Sequence, residues 1–278
     1  MDLTDEINNL FCRQKEQWPQ LKKSIDLRNQ ISEKSFFWEE GTRVTVQFNP
    51  ARISSTGADV NQKAIEKRPC FLCAENRPPQ QEGIPFLEKY VILCNPFPIL
   101  DNHLTIPLYS HVPQRIRRKI GDMLTLAEHL PDYVVFYNGQ TSGASAPDHF
   151  HFQAGLKTPV LLQGDNNLRN CMLIESARKS DAEEIFEDVY HYLHSLQPEQ
   201  PEPMMNVIAF MEEDRYKLHL FPRKAHRPRQ YYEEGLKQLL ISPGAVDMAG
   251  LIVSVREEDF NKITQQDIED IYSQVSLQ

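Results

Sequence analysis

The sequence predicts an α+β protein: an antiparallel sheet with flanking helices, built as two related halves in one chain. Three observations carry this expectation. Short apolar strands follow one another through turns rich in proline, asparagine and aspartate. Helices with a single apolar face run between them. A strand that ends in proline, with histidine four residues later, occurs twice: Ile106-Pro107 before His111, and Phe221-Pro222 before His226.

Taken in order, residues 3–30 carry apolar side chains at helical spacing (Leu3, Ile7, Leu10, Phe11), with a break at Pro19. Arg43–Phe48 alternates with a period of two, and Asn49-Pro50 ends it as a strand ends. Residues 54–67 are polar, contain Gly57 and read as a loop. Tyr90–Cys94 and Leu104–Pro107 are short strands around a turn at 95–103. Pro113 opens a helix with Ile116, Ile120, Met123, Leu124 and Ala127 on one face. Residues 133–137 form a continuous apolar strand, and 138–148 a loop with two glycines, two serines, a threonine and a proline. Phe150, Phe152 and Ala154 then alternate with His149, His151 and Gln153.

After a turn at 164–167, residues 171–175 read as a strand and 181–196 as a helix with Ile185, Val189, Tyr192 and Leu196 inward. Pro198, Pro201 and Pro203 stiffen the connector that follows. It divides the chain into a first half, residues 1–197, that holds the motifs described below, and a second half, 198–278. Beyond it lie a hairpin (206–211 and 216–221), a short helix at 231–240, a strand at 251–255 and a terminal helix from Glu257.

The length of 278 residues accommodates about two domains. Hydrophobic residues make up 40% and charged residues 25%, which suffices for a sizeable core. The 39 acidic residues against 30 basic ones leave a net charge of −9. Backbone-driven nucleic-acid binding needs the opposite sign, so no nucleic-acid partner is expected. A local basic pocket for a small anion remains compatible with it. Residues 1–6 lack the basic, apolar start of a signal peptide, and no apolar run approaches the ~18 residues of a membrane span. No membrane partner is expected. The five cysteines are odd in number and too few for a disulfide framework, which points to a reducing, cytoplasmic compartment. Cys12, Cys94 and Cys171 read as small apolar residues.

The most specific signal is His149-Phe150-His151-Phe152-Gln153. On a strand, His149, His151 and Gln153 share one side while both phenylalanines enter the core. The preceding loop offers glycines and hydroxyls whose backbone N–H groups suit a phosphate. An imidazole beside an anion-binding loop attacks phosphorus directly, splitting one hard displacement into two. The plainer alternative is a polar face on an exposed strand. Cys70-Phe71-Leu72-Cys73 is the second signal. Zinc needs two further ligands here, and His103 and His149 are the best available, each at a turn or strand start. A redox pair is the other reading, without the strand-before, helix-after context it needs. The cluster Arg223, Lys224, Arg227 and Arg229 reads either as a phosphate site or as a solvated loop, and His111 and His226 either orient their loops or act in catalysis.

Residues 138–153, ending in H-x-H-x-Q, resemble the active-site segment of the galactose-1-phosphate uridylyltransferase branch of the histidine-triad (HIT) superfamily. That branch includes diadenosine tetraphosphate phosphorylases and GDP-hexose phosphorylases, and residues 145–154 are most similar to the latter. Residues 69–77 resemble the uridylyltransferase zinc segment, and residues 100–107 the strand whose histidine is a zinc ligand there. The resemblance implies a HIT-like antiparallel sheet and a nucleotidyltransferase or phosphorylase acting on a nucleoside diphosphate sugar or dinucleoside polyphosphate. His151 would be the catalytic nucleophile and Gln153 would hold the phosphate oxygens. Arg52, Asn138, Gly143, Ala144 and Ser145 would bind substrate. Cys70, Cys73, His103 and His149 would hold a structural zinc. Phosphate or a sugar phosphate would be the acceptor, and a homodimer is compatible with the branch. Phe150 stands where uridylyltransferases have proline, and the second half retains only His219 of a histidine pair. The alternatives are a HIT-type nucleotide hydrolase, against which Gln153 argues, and a non-catalytic nucleotide-binding zinc protein.

Overall fold

Tyr133, Val135 and Tyr137 alternate with Val134, Phe136 and Asn138 along one strand, and all six are buried. An antiparallel strand is apolar on both sides only when both faces of its sheet are covered. This strand therefore runs through the middle of the molecule. The computed structural model describes residues 2–57, 61–164 and 167–277.

The strands are β1 (Ser32–Phe37), β2 (Arg43–Phe48), β3 (Gly83–Phe86), β4 (Tyr90–Cys94), β5 (Leu104–Pro107), β6 (Tyr133–Asn138), β7 (His151–Leu156), β8 (Met172–Ser176), β9 (Met205–Glu212), β10 (Arg215–Pro222) and β11 (Leu251–Ser254). The helices are α1 (Leu3–Gln17), α2 (Pro19–Arg28), α3 (Ile53–Thr56), α4 (Gln62–Lys67), α5 (Ile120–His129), α6 (Lys179–Leu196), α7 (Ala245–Met248), α8 (Glu257–Lys262) and α9 (Gln265–Val275). Eight strands form one sheet in the order β3-β4-β5-β7-β6-β9-β10-β8, with every neighbouring pair antiparallel. A second sheet, β1-β2-β11, has β11 parallel to β2.

Each face of the large sheet has its own core. Tyr133, Val135, Tyr137, Phe150 and Phe152 pack with α1, α5 and α6. Val134, Phe136 and Ile208 face the small sheet and α9, through Val44, Val46, Ile252 and Tyr272. His151 and Gln153 alternate with Phe152 and so project toward the small sheet. The catalytic candidates thus lie between the two sheets.

The α+β class, the antiparallel sheet and the two related halves stand. The halves are β5-α5-β6-β7 and β8-α6-β9-β10, meeting where β6 pairs with β9. This moves the division from the expected 197/198 to the segment between β7 and β8, because β8 pairs with β10 and is followed by α6 in the second unit. The proline–histidine echo is not the repeat. Pro107 closes β5 and Pro222 closes β10, whereas the counterpart of β5 is β8.

Four local expectations also change. The helix expected from Pro113 starts at Ile120, because Glu202 Oε1 captures the amides of Ile116 and Arg117 and Arg118 has a φ of +64°. Helix α6 forms as expected but turns its other stripe inward: Ala182, Phe186, Tyr190 and Leu193 are buried, while Ile185, Tyr192 and Leu196 are exposed. Both stripes have helical spacing, so periodicity alone does not choose between them. The polar stretch 54–67 holds part of α3 and all of α4 rather than loop alone. Its residues 58–60, and residues 165–166 of the turn expected at 164–167, lie outside the described residues. Two 3₁₀ turns, Arg229–Tyr231 and Gly235–Lys237, replace the helix expected at 231–240. No described helix is long and apolar enough to cross a membrane.

Candidate active site

Strands β5 and β7 pair with Pro107 opposite His151 and Leu104 opposite Ala154. This register sorts the polar residues of the site into two groups. His111, which follows β5, runs out beside His149. His103, which precedes β5, lies at the opposite end with Gln153.

His151 is 3% exposed, and its Nδ1 lies 2.8 Å from the carbonyl oxygen of His149. A carbonyl only accepts, so Nδ1 carries the hydrogen and Nε2 keeps its lone pair. Burial pushes the His151 pKa down to about 4, so the ring is neutral near pH 7. The result is an uncharged ring nitrogen with its lone pair available on the wall of a cleft.

Gln153 is oriented by His103. The ring Nδ1 of His103 accepts the Ile99 N–H at 3.0 Å, so its Nε2 bears hydrogen and donates to Gln153 Oε1 at 2.9 Å. That fixes the oxygen end of the amide and turns its NH₂ end toward the cavity. Burial, with Arg52 nearby, holds the His103 pKa down at about 3. His103 is therefore not among the metal ligands, contrary to the sequence expectation; it is a neutral support for Gln153.

The fourth donor of the candidate metal site is His111. The donor atoms of Cys70, Cys73, His111 and His149 all lie within 4.8 Å of one another. Cys70 Sγ is 3.3 Å from His149 Nδ1, and Cys73 Sγ is 3.2 Å from His111 Nδ1 and 3.5 Å from His149 Nδ1. Tetrahedral zinc bound by two sulfurs and two imidazoles has sulfur–nitrogen edges of roughly 3.5 Å. Outer partners fix both rings. His149 Nε2 donates to the Leu108 carbonyl at 2.8 Å, and His111 Nε2 lies 3.4 Å from Asp148 Oδ2, so each Nδ1 faces the sulfurs. Burial and the adjacent Cys70 push the Cys73 thiol up to about 11, an arrangement in which a cation would favour the thiolates. The donor set fits zinc.

The cleft beside His151 encloses about 400 Å³. Trp18, Phe71, Leu72 and Phe97 give it an apolar wall, and Arg68 lies on its rim. A narrower polar pit adjoins it, reached past Arg52, Asn138, Gly143, Ser145 and Gln153, which line both. Arg227, His226, Ser242 and Asp247 line the pit's far side. Four of the five sequence-predicted substrate residues thus border both cavities, and Ala144, 1% exposed, borders the pit.

Each is held by the chain around it. Arg52 ends a 3₁₀ turn after β2 and donates Nη1 to the Phe97 carbonyl at 2.8 Å; burial pulls its pKa down to about 10 against the opposing pull of Asp247. Asn138 ends β6, and its Oδ1 accepts from Asn206 Nδ2 at 3.0 Å and from the Ala245 amide at 2.7 Å, joining the halves. Gly143 has a φ of +96°, and a Cβ there would stand 2.8 Å from Gly244 Cα. Arg68 Nη2 holds the Ser145 carbonyl at 2.7 Å.

Within the basic cluster, Arg223 is wholly structural. It donates to Asn206 and to the carbonyls of Val275, Pro243, Ala225 and His226. Arg229 pairs with Asp270 at 3.6 Å and Lys224 is exposed, which leaves Arg227 as the member that reaches a cavity.

Residues 10–156 match the family model described as a domain of unknown function, DUF4922. The chain belongs to that family. Residues 170–278 match a second model, the GDPGP1-like C-terminal domain. The two matches meet between β7 and β8, where the topology divides the halves. No curated protein matches the chain. Among solved structures it is similar to yeast Ap4A phosphorylase Apa2 in complex with Ap4A, with a TM-score of 0.63, 16% identity and 97% of each chain covered. The structure of the same yeast enzyme determined without a named ligand gives 0.60 and 15% identity over 93% of this chain and 96% of that one. The chain therefore shares the HIT-like fold of that yeast enzyme.

Sequence reasoning named His111 as a loop-orienting or catalytic residue but not as a member of the cluster, and it passed over Arg68, Asp148 and Gln114. His111 carried a signal, because four residues beyond the end of a strand that pairs with β7 it must emerge near His149. The others had none, since their roles depend on loops brought together only in the fold.

Proposed function

We propose that this chain is a nucleotidyltransferase of the phosphorylase type. It would act on a nucleoside diphosphate sugar or a dinucleoside polyphosphate through a nucleotidyl-histidine at His151. The observation that carries the reading is the pairing of a neutral His151, its Nδ1–H held by the His149 carbonyl, with an oriented Gln153 amide at the joint of two cavities. The similarity to a yeast Ap4A phosphorylase supports the same class.

In this reading the nucleoside lies against the apolar wall of the larger cleft, and Arg227 and Ser242 face the remainder of the substrate in the pit. Nε2 of His151 attacks the α-phosphorus. The phosphorus–nitrogen bond forms as the anhydride phosphorus–oxygen bond breaks, and its electron pair leaves on the departing phosphate oxygen. Nδ1 keeps its hydrogen, and the His149 carbonyl meets the positive charge that develops on the ring. The NH₂ of Gln153 and backbone amides of the 143–145 loop would bind the non-bridging oxygens. Gln153 lacks the acid–base capacity of a histidine, so discharge falls to an acceptor oxygen from phosphate or a sugar phosphate. As that bond forms, the pair in the phosphorus–nitrogen bond returns to Nε2.

Cys70, Cys73, His111 and His149 are proposed to hold a structural zinc ion, which would cross-link the 70–73 loop to the start of β7. The experiment is intact-protein mass spectrometry after incubation with a panel of nucleoside diphosphate sugars and Ap4A. One nucleotide added to the wild type, absent from His151→Ala and discharged by phosphate, is the expected result. Phosphate-independent turnover would favour a hydrolase, and binding with no adduct or turnover a nucleotide-binding zinc protein.

A further inference from the structure

Gln114 is fully buried in the turn between β5 and α5 and is not among the residues lining either cavity. Its single amide makes three hydrogen bonds. Oε1 accepts the His151 N–H at 2.7 Å, while Nε2 donates to the His151 carbonyl at 2.9 Å and to the Asn138 carbonyl at 3.0 Å. Both peptide groups flanking the His151 Cα are therefore fixed by one side chain. The third bond ties this residue to Asn138, which ends β6 and opens the glycine-rich loop.

The main chain of Gln114 is anchored in turn. Its N–H donates to the Pro147 carbonyl at 3.1 Å, and its carbonyl accepts from Tyr137 Oη at 3.0 Å. Tyr137 also meets Glu202, whose other oxygen takes the amides of Ile116 and Arg117. A glutamine whose side chain merely filled space would not need every donor and acceptor matched to the same two segments.

We propose that Gln114 is a positioning residue: its amide sets the backbone of His151, and with it the Nδ1–H to His149 contact, at a fixed distance from the loop that begins at Asn138. This rests on the reading of His151 as nucleophile. The bond from Nδ1 to the carbonyl two residues earlier closes only for a narrow range of backbone angles, and those are the angles the Gln114 amide holds. Releasing it lets the ring turn and the tautomers mix, which lowers the fraction presenting a lone pair at Nε2.

The test compares Gln114→Leu with Tyr90→Phe, which loses the hydrogen bond from a buried tyrosine to Asp122 in the same core but leaves Gln114 and its anchors untouched. Single-turnover labelling of His151 and nucleotide affinity are measured with the panel member that labels the wild type. ¹⁵N-histidine NMR, with His151→Gln to assign the signal, reads the tautomer without any substrate. Gln114→Leu is expected to slow labelling by about tenfold to a hundredfold, with affinity changed by less than about threefold, and to replace one His151 tautomer by a mixture. Tyr90→Phe is expected to keep both the rate and the tautomer. If Gln114→Leu does not fold, Gln114→Glu is used; it sets a second oxygen against the two carbonyls and is expected to act in the same direction. An unchanged tautomer and rate in the Gln114 variant, or equal losses of rate and affinity in both variants, overturn the proposal. A wild type that takes up no nucleotide refutes the nucleophile reading instead, and the tautomer comparison still decides what Gln114 does.

Discussion

Replacing Gly143 by alanine probes the seam where the glycine-rich loop of one half meets the 243–245 segment of the other. Gly143 has a φ of +96°, and an added Cβ would lie 2.8 Å from Gly244 Cα and 3.0 Å from the Pro243 carbonyl oxygen. Both neighbours are backbone, so neither yields by a simple rotation. Gly41 is a suitable reference, with a φ of +80° and nothing within 4 Å of its added Cβ. Forcing a side chain into a left-handed conformation costs roughly 1–2 kcal/mol. Overpacking a tight contact costs roughly a further 1–3 kcal/mol. Gly41→Ala should therefore lose roughly 1–2 kcal/mol and Gly143→Ala roughly 2–5 kcal/mol. In a chain of this size each kcal/mol lowers Tm by roughly 2–4 °C, so calorimetry separates the two variants. Because Gly143 borders both cavities, nucleotide affinity should fall in its variant alone. Equal melting temperatures for the two variants would refute the claim that a backbone contact between the halves demands glycine at 143.

Three further outcomes follow from the site. His103→Leu should slow nucleotide transfer by about tenfold or more, by freeing the Gln153 amide, yet leave bound metal unchanged by elemental analysis. His111→Ala should lose the metal and melt lower, so the two histidine variants together check which one is the ligand. Glu202 is 5% exposed, and burial raises its carboxyl pKa from 4.5 to about 7. The folded state thus holds a proton that the unfolded state releases, and this contribution to stability is full below pH 4.5 and is lost as pH rises through 7. It amounts to about 3 kcal/mol, and urea melts between pH 5 and 8 should show the slope in the wild type and its loss in Glu202→Gln.

Much of the fold was legible because its signals are local. Tyr90–Cys94 and Leu104–Pro107 announce themselves by composition, and the break at Pro19 falls between α1 and α2. What failed depended on partners remote in sequence. Ile116 and Ile120 have helical spacing, but Glu202, 86 positions from Ile116, takes the amides that would have begun the helix. Helix α6 carries two apolar stripes, and only the sheet beneath it selects one. The polar β1 and the short β3 are edge strands, made by pairing with β2 and β4 rather than by their own side chains.

The histidines show how far one register can carry a functional argument. The H-x-H-x-Q spacing correctly assigns His151 and Gln153 to one face of a strand, but it cannot say which other residues each will meet. That follows from pairing β5 against β7, because an antiparallel register runs one strand's start beside the other's end. His103, just before Leu104, is carried to Gln153, and His111, beyond Pro107, to His149. Strand spacing makes the span from His149 to Gln153 roughly 13 Å, too far for one imidazole to serve both groups. Two histidines eight residues apart therefore part company: His111 joins the cluster of Cys70, Cys73 and His149, and His103 holds the amide that lines both cavities.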